Sequence, residues 1–160
     1  MTFDINGNTL DGNGAEAVAV ETGSDATAGT TLDGWVRMNT FLNTNTSYGA
    51  INVFVPDGRG VVEVSGNTIE TSLAPLEFDA TAPIRVTAST SSSSETADAN
   101  VSILQNTVFQ ASDALNPAIH VVQADTVPRP VCLNLRDNDD DVWASGSFTG
   151  TDGTCVLPGS

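Results

Sequence analysis

Hydrophobic and polar residues alternate with a period of two in short stretches that recur along the chain. Alternation of this kind, rich in valine and isoleucine, predicts β-strands that bury one face. The residues predicted to face inward are Phe3, Ile5, Val36, Val62, Val64, Val101, Ile103, Leu133 and Leu135. No convincing helical period accompanies them, so the pattern predicts an all-β protein.

An asparagine follows each of these strands, and in the first four cases threonine and a hydrophobic residue come after it. These asparagines are Asn8, Asn39, Asn67, Asn106 and Asn138. We expect the chain to turn sharply at each one, because asparagine adopts left-handed backbone angles more readily than most residues. Where such turns stack, the amides can hydrogen-bond from one repeat to the next as a ladder.

A second short strand follows each of the first four turns. The first core residues of these strands are Val18, Ile51, Ile84 and Ile119, at intervals of 33, 33 and 35 residues. A fixed period in this range predicts stacked repeats that share one continuous core. The segments that lead back to the next repeat vary in length, and variable loops of this kind often form the binding face of a solenoid.

The last repeat departs from the pattern, because aspartates at residues 139–141 replace the threonine and hydrophobic residue expected after Asn138. A solenoid needs a segment that covers its last coil. We therefore predict β-coils over residues 1–138 and a C-terminal capping segment over residues 139–160. The N-terminus begins within the repeat pattern, and we expect its strand edge to be open to stacking.

The run INGNTLDGNG at residues 5–14, with AVAV at residues 17–20, resembles a coil of the right-handed parallel β-helix. This solenoid occurs in the pectate lyase superfamily and in many bacterial surface proteins. The resemblance covers roughly residues 2–138 and implies about four to five coils of ~33 residues. VCLNL at residues 131–135 is similar to the cysteine-bearing closing coils of large bacterial surface proteins. Right-handedness also agrees with the general bias of parallel crossovers.

Charge and cysteine content indicate which cellular compartment and which classes of partner suit the chain. The chain carries 20 acidic and 5 basic residues, a formal net charge of −15, which disfavours nucleic acids and anionic membranes. No stretch approaches the ~20 apolar residues of a membrane span. Cys132 and Cys155 favour a disulfide, which implies an oxidising compartment; the alternative is a pair of buried thiols. No signal peptide is visible, so we expect a fragment of a longer secreted or bacterial cell-surface protein.

Arg85 and His120 are the first candidates for chemistry. They occupy equivalent outward positions of neighbouring second strands, with Asn52 one coil earlier, and adjacent strands lie ~4.8 Å apart. By the resemblance, polysaccharide lyases of this fold use arginine or lysine as a base against acidic sugars. Asn52, Arg85 and His120, together with Trp35 and Tyr48, are the predicted binding residues. The alternative is an ordinary polar row on the surface.

Two acidic features are weaker candidates. Asp4 and Glu63 share one outward column with a tryptophan between them, at a separation compatible with inverting glycoside hydrolysis. Asp137, Asp139 and Asp141 place hard oxygen ligands at alternating positions, which suits calcium. The alternative for this run is a solvated acidic turn, and we predict no cofactor other than this weak calcium candidate.

These patterns specify a scaffold more completely than an activity. Our leading hypothesis is a non-enzymatic structural or adhesive β-solenoid module of a secreted or cell-surface protein. Its partners would be neighbouring β-helix repeats or another copy of itself, stacked end to end. The alternative is a carbohydrate-binding or polysaccharide-cleaving β-helix domain.

Overall fold

A computed structural model of the chain describes residues 1–12, 16–22, 31–44, 49–55, 58–71, 82–88, 98–109, 117–123, 131–138, 142–145, 155 and 158–159. Within these ranges the chain forms short β-strands and no helix. The strands are β1 Thr2–Asn6, β2 Thr9–Asp11, β3 Val18–Glu21, β4 Thr31–Arg37, β5 Thr40–Thr44, β6 Ile51–Val55, β7 Arg59–Ser65, β8 Thr68–Thr71, β9 Ile84–Ala88, β10 Asp98–Leu104, β11 Thr107–Phe109, β12 Ile119–Gln123, β13 Val131–Arg136 and β14 Val142–Ser145. No helix of the described residues could therefore cross a membrane.

The strands form three parallel sheets, and the chain visits the sheets in turn. Sheet A has the order β1-β4-β7-β10-β13, sheet B has β2-β5-β8-β11, and sheet C has β3-β6-β9-β12-β14. Each strand pairs with the equivalent strand of the next repeat, which is the topology of a parallel β-helix. The predicted all-β parallel β-helix is confirmed. We number the coils 1 to 5 by their strand in sheet A.

Equivalent residues stack in register through the whole solenoid. In sheet A, Ile5 pairs with Val36, Val36 with Val64, Val64 with Ile103, and Ile103 with Leu135. The inward residues of coils 2 to 4 in this column are fully buried, as the alternation predicted. Each buried valine or isoleucine contributes roughly 1.5–3 kcal/mol to folding, so these columns supply most of the stability.

The tight turn before sheet B differs from the sequence prediction. The left-handed residue is the one that precedes each asparagine: Gly7, Met38, Gly66, Gln105 and Asp137 have φ of 68°, 55°, 61°, 54° and 55°. The asparagines themselves have negative φ. The prediction that asparagine supplies the left-handed angle is wrong, and the asparagine side chain has another purpose, described below.

Coil 1 is less buried than the coils that follow it. Phe3, Ile5 and Leu10 are only partly buried, although they occupy core positions. Gly34 lies opposite Phe3 in the register, and a Cβ atom at Gly34 would collide with the backbone carbonyl oxygen of Phe3 and come within 2.7 Å of its ring. The glycine therefore allows the close approach of both the backbone and the side chain of Phe3.

The C-terminal part adds a strand to sheet C and is linked covalently to sheet A. β14 lies beyond residue 138 and pairs in parallel with β12. Cys132 of β13 forms a disulfide with Cys155, with a Cα–Cα distance of 5.5 Å. The predicted cysteine pairing is therefore present in the structure. The division into coils over 1–138 and a capping segment over 139–160 stays a prediction.

Candidate functional site

The five turn asparagines form a hydrogen-bonded column along the solenoid, which we call the asparagine ladder. It consists of Asn8, Asn39, Asn67, Asn106 and Asn138. The backbone N–H and the side-chain Nδ2 of each of the first four asparagines donate to Oδ1 of the asparagine in the next coil, with donor–acceptor distances of 2.9–3.1 Å. Asn39, Asn67 and Asn106 are each 1% exposed. The predicted ladder is confirmed.

A further hydrogen bond ties each amide to the preceding coil. The Nδ2 atoms of Asn39, Asn67 and Asn106 donate to the carbonyl oxygens of Ile5, Val36 and Val64, each at 2.9 Å. Asn138 donates to the carbonyl of Ile103 in the same way. A buried polar group without a partner would cost about 1–3 kcal/mol. The ladder avoids this cost at every internal step and also ties adjacent coils together.

The second polar column lies on the outer face of sheet C, and we call it the Arg85 row. The register places Asn52 opposite Arg85 and Arg85 opposite His120, as predicted. Asn52 Nδ2 donates to Glu16 Oε1 at 3.4 Å. Arg85 Nε is buried and has no hydrogen-bond partner among the described residues. Unlike the ladder, this row changes residue type at every coil.

His120 is held in its neutral form by its position in this row. Partial burial lowers the pKa of His120 below its ordinary value of 6.5, and the positive charge of Arg85 adds to the shift. Desolvation and a neighbouring cation both disfavour the imidazolium. A neutral imidazole can donate one hydrogen bond and accept another, while the neighbouring Arg85 supplies a positive charge.

Trp35 lies on a different face from the Arg85 row. It belongs to β4 in sheet A, where the guanidinium carbon of Arg37 lies 5.3 Å from the centre of the ring. Arg37 also donates to Asp4, with Nε–Oδ1 at 3.1 Å and Nη2–Oδ2 at 2.7 Å, and this hydrogen bond raises the pKa of Arg37. The structure therefore does not bring Trp35 together with Arg85. Tyr48 lies outside the described residues.

The two carboxylates proposed as a catalytic pair share a column, as predicted. Asp4 lies opposite Trp35, and Trp35 lies opposite Glu63. Asp4 is engaged by Arg37, and Glu63 Oε1 accepts a hydrogen bond from Ser65 Oγ at 2.7 Å. Both carboxylates therefore have local partners, and a hydrolytic role for the pair stays a prediction.

The calcium candidates are only partly described. Asp137 is exposed at the turn before Asn138, whereas Asp139 and Asp141 lie outside the described residues. Among the residues whose placement is described, there is no group of three or more histidine, cysteine, aspartate or glutamate side chains that could hold a metal ion. The calcium site therefore stays a prediction.

A contact that the sequence did not indicate joins the C-terminus to coil 2. The backbone N–H of Gly159 lies 3.2 and 3.4 Å from the two carboxylate oxygens of Asp33, and Gly159 lies close to the Trp35 ring. On sheet A, Asp33 and Cys132 occupy one outward row with Val61 and Asn100 between them. Cys155 and Gly159 are thus fixed to two members of this row, to Cys132 covalently and to Asp33 by hydrogen bonds.

No protein-family model matches this chain, and neither does any curated protein or solved structure. The structure establishes the parallel β-helix fold of the chain, but the fold does not assign the chain to a family. The narrower resemblance to the pectate lyase superfamily and to bacterial surface proteins stays a prediction. A function has to be inferred from the geometry and chemistry described above.

Proposed function

We propose that this chain is a non-enzymatic structural module, a rigid β-solenoid spacer of a secreted or cell-surface protein. The asparagine ladder is the observation that carries the proposal. The ladder is a buried polar column that joins one coil to the next. The hydrogen-bonding groups of its internal amides all have partners within the protein. A column of this kind stabilises shape, because the amides of Asn39, Asn67 and Asn106 are occupied by hydrogen bonds within the protein.

The other contacts that cross several coils support the same role. The core columns are continuous from coil to coil, and the disulfide and the Gly159–Asp33 contact fix the C-terminal segment to sheet A. Bending the solenoid would break hydrogen bonds in three sheets at once. The disulfide also favours an oxidising location, because cytosolic thiols are kept reduced.

A distance measurement tests the spacer role. The chain is placed between two fluorescent domains, and energy transfer between them is followed in single molecules. A rigid spacer predicts one narrow distance distribution in native buffer. The Asn67→Ala variant serves as the matched comparison, because it interrupts the ladder at its centre, and it should broaden the distribution. A broad distribution for the unaltered chain would contradict the proposal.

An assay on polysaccharides tests the non-enzymatic role. Neutral and acidic polysaccharides are incubated with the chain, with and without calcium, and both retention and new chain ends are measured in the same samples. We expect no new chain ends from any substrate. The proposal would be contradicted if the unaltered chain released new chain ends and Arg85→Ala, at unchanged thermal stability, did not. That result would establish an enzyme.

One observation favours a second candidate function, the binding of an acidic carbohydrate along the Arg85 row. The buried, unpartnered Nε of Arg85 is one arm of the planar fork with which arginine holds carboxylates. Asn52 and His120 lie on either side and offer further polar contacts. A uronic acid carboxylate would fit this chemistry.

Calorimetry with oligouronates and their neutral counterparts tests this second candidate. Binding of the uronate should be lost in Arg85→Gln and only partly restored in Arg85→Lys, because lysine lacks the planar fork. Arg136→Gln is the matched control, since it removes the same charge from sheet A. If both glutamine substitutions weakened uronate binding equally, the effect would come from the change in net charge, and the proposed site would be rejected.

A further inference from the structure

The outer face of sheet C differs in charge from the rest of this acidic chain. The chain has 20 acidic and 5 basic residues, and the first three strands of sheet A each carry a carboxylate, at Asp4, Asp33 and Glu63. The strands of sheet C in coils 2 to 5, by contrast, contain no aspartate or glutamate. Their ionisable residues are Arg85 and His120. The local charge of these strands therefore favours a negatively charged ligand.

Arg85 is the member of this face that lacks a hydrogen bond. Its side chain is half-buried, and its Nε atom is buried with no hydrogen-bond partner among the described residues. On sheet A, by comparison, Nε of Arg37 donates to the carboxylate of Asp4 at 3.1 Å. A buried donor without an acceptor lowers stability, and a ligand that supplies the acceptor removes this cost. Arg85 is therefore suited to an anion that enters the Arg85 row.

His120 lies beside Arg85, and Arg85 is its charged neighbour in the sheet. The two residues are opposite each other on β12 and β9, whose backbones lie ~4.8 Å apart. The strand on the other side of His120 is β14, which has no ionisable residue. Partial burial and, to a smaller extent, the charge of Arg85 lower the pKa of His120. The imidazole is accordingly neutral near pH 7.

The carboxylates of sheet C belong to the opposite end of the sheet. Glu21 is on β3 in coil 1, three coils from His120, which corresponds to about 14 Å. Glu16 precedes the same strand, and its Oε1 accepts a hydrogen bond from Asn52 in coil 2. Both distances exceed or approach the screening length of about 8–10 Å. The charge state of His120 is therefore set mainly by groups close to it, and a ligand beside Arg85 would be one of them.

A carboxylate placed between these two side chains would reverse the repulsion that His120 experiences. Its negative charge favours the imidazolium and offsets the positive charge of Arg85. By linkage, a ligand that binds the protonated form more tightly also promotes protonation, and both effects have the same free energy. The histidine acts here through its charge, so the effect is the same whichever ring nitrogen faces the ligand.

We propose that the Arg85 row binds a carboxylate between Arg85 and His120, and that His120 takes up a proton as the ligand binds. The ligand is the acidic carbohydrate of the second candidate function, on which this inference rests. Arg85 binds the carboxylate at any pH, because its guanidinium is always charged. His120 adds a second positive charge only when it is protonated. Affinity is therefore highest at acidic pH and falls as the pH rises through the pKa of His120 in the complex.

Proton magnetic resonance of the unaltered chain tests the proton uptake directly. The chain has a single histidine, so one set of imidazole signals reports His120. Its titration is recorded for the chain alone, with an oligouronate, and with a neutral oligosaccharide of the same length. The uronate should move the midpoint to higher pH, and the neutral sugar should not. The uronate itself stays ionised over this range, because ordinary carboxyl pKa values lie near about 4.

Calorimetry with the same oligouronate measures the consequence for affinity. Binding to the unaltered chain should be roughly fivefold tighter, or more, at pH 5.5 than at pH 7.5, since a carboxylate beside a histidine favours its charged form. Buffers of different ionisation enthalpy should reveal uptake of a fraction of one proton. The matched variant is His120→Gln, which keeps a polar side chain but cannot titrate, and its affinity should be equal at the two pH values. Arg85→Gln should lose binding at both.

The outcomes separate this inference from the binding function on which it rests. If the uronate binds and the titration of His120 is unchanged, proton uptake is rejected and the binding function stands. If the uronate binds at neither pH, both are rejected. If His120→Gln keeps the pH dependence of the unaltered chain, the titrating group lies elsewhere and the inference is overturned. The resonance measurement needs no variant, so it decides the question even where His120→Gln fails to fold.

Discussion

The asparagine ladder and the Arg85 row are both columns of polar residues, but the ladder has a member in each of the five coils, whereas the Arg85 row has members in coils 2 to 4 only. The ladder repeats one residue, and its three central members, Asn39, Asn67 and Asn106, are buried and satisfy their amides internally. The Arg85 row changes from Asn52 to Arg85 to His120 and leaves Arg85 Nε without a partner among the described residues. In a solenoid, a repeated polar column serves the fold, whereas a varied column is where ligand chemistry has to be sought.

Interrupting the ladder at its centre should have the largest effect on stability. Asn67→Ala removes the acceptor of two donors of Asn39 and the donor to the Val36 carbonyl. We expect a loss of about 3–5 kcal/mol, since each buried group without a partner costs about 1–3 kcal/mol. Urea unfolding followed by circular dichroism measures it.

The adjacent threonine is the matched control for this substitution. Thr68 lies on the same strand end but faces outward and is only partly buried. Thr68→Ala should change the free energy of unfolding by no more than about 0.5 kcal/mol. Equal losses in Asn67→Ala and Thr68→Ala would mean that the ladder has no special role.

Breaking the disulfide should have the next largest effect and should leave the Arg85 row unchanged. The loop between Cys132 and Cys155 spans 23 residues, and closing such a loop stabilises a fold by about 2–4 kcal/mol. We expect the Cys132→Ala, Cys155→Ala double variant to lose this amount in urea unfolding. Reducing agent should destabilise the unaltered chain and have no effect on the double variant; an effect on both would contradict the assignment.

The end of the ladder should tolerate substitution better than its centre. Asn8 is exposed, and its side chain donates one ladder bond, to Asn39. Asn8→Ala should cost about 0.5–1.5 kcal/mol in dilute solution, the usual net value of one hydrogen bond. A loss as large as that of Asn67→Ala would mean that burial does not set the importance of a ladder position.

A feature of the fold or of the candidate site could be predicted from the sequence only where neighbouring residues encode it. The core columns and the ladder follow from alternation and period, and both were predicted correctly. The left-handed residues were missed, because Met38 and Gln105 carry no local signal for a positive φ. The Gly159–Asp33 contact joins residues 126 positions apart, and no sequence pattern indicates that these two residues meet.

The smallest expected effect concerns the pH dependence of stability at the Arg85 row. The pKa of His120 is lower in the folded chain than its ordinary 6.5, so the unfolded chain binds more protons below about pH 6.5. Stability from this residue is fully present above that pH and is lost as the pH falls from there through the lower pKa of the folded chain. Thermal unfolding from pH 7.5 to 5.5 should show this decline, and His120→Gln should reduce it. An unchanged pH profile in His120→Gln would contradict the assignment.

Amide hydrogen exchange at the ladder, measured by nuclear magnetic resonance, tests most directly the claim that this polar column is structural. The backbone N–H groups of Asn39, Asn67 and Asn106 bond to side-chain oxygens in the buried interior. We predict that they exchange only through global unfolding, together with the core strands, and that Asn8 exchanges faster. Rapid exchange at Asn67, comparable with that of exposed residues, would show that the ladder opens freely and would contradict the structural account.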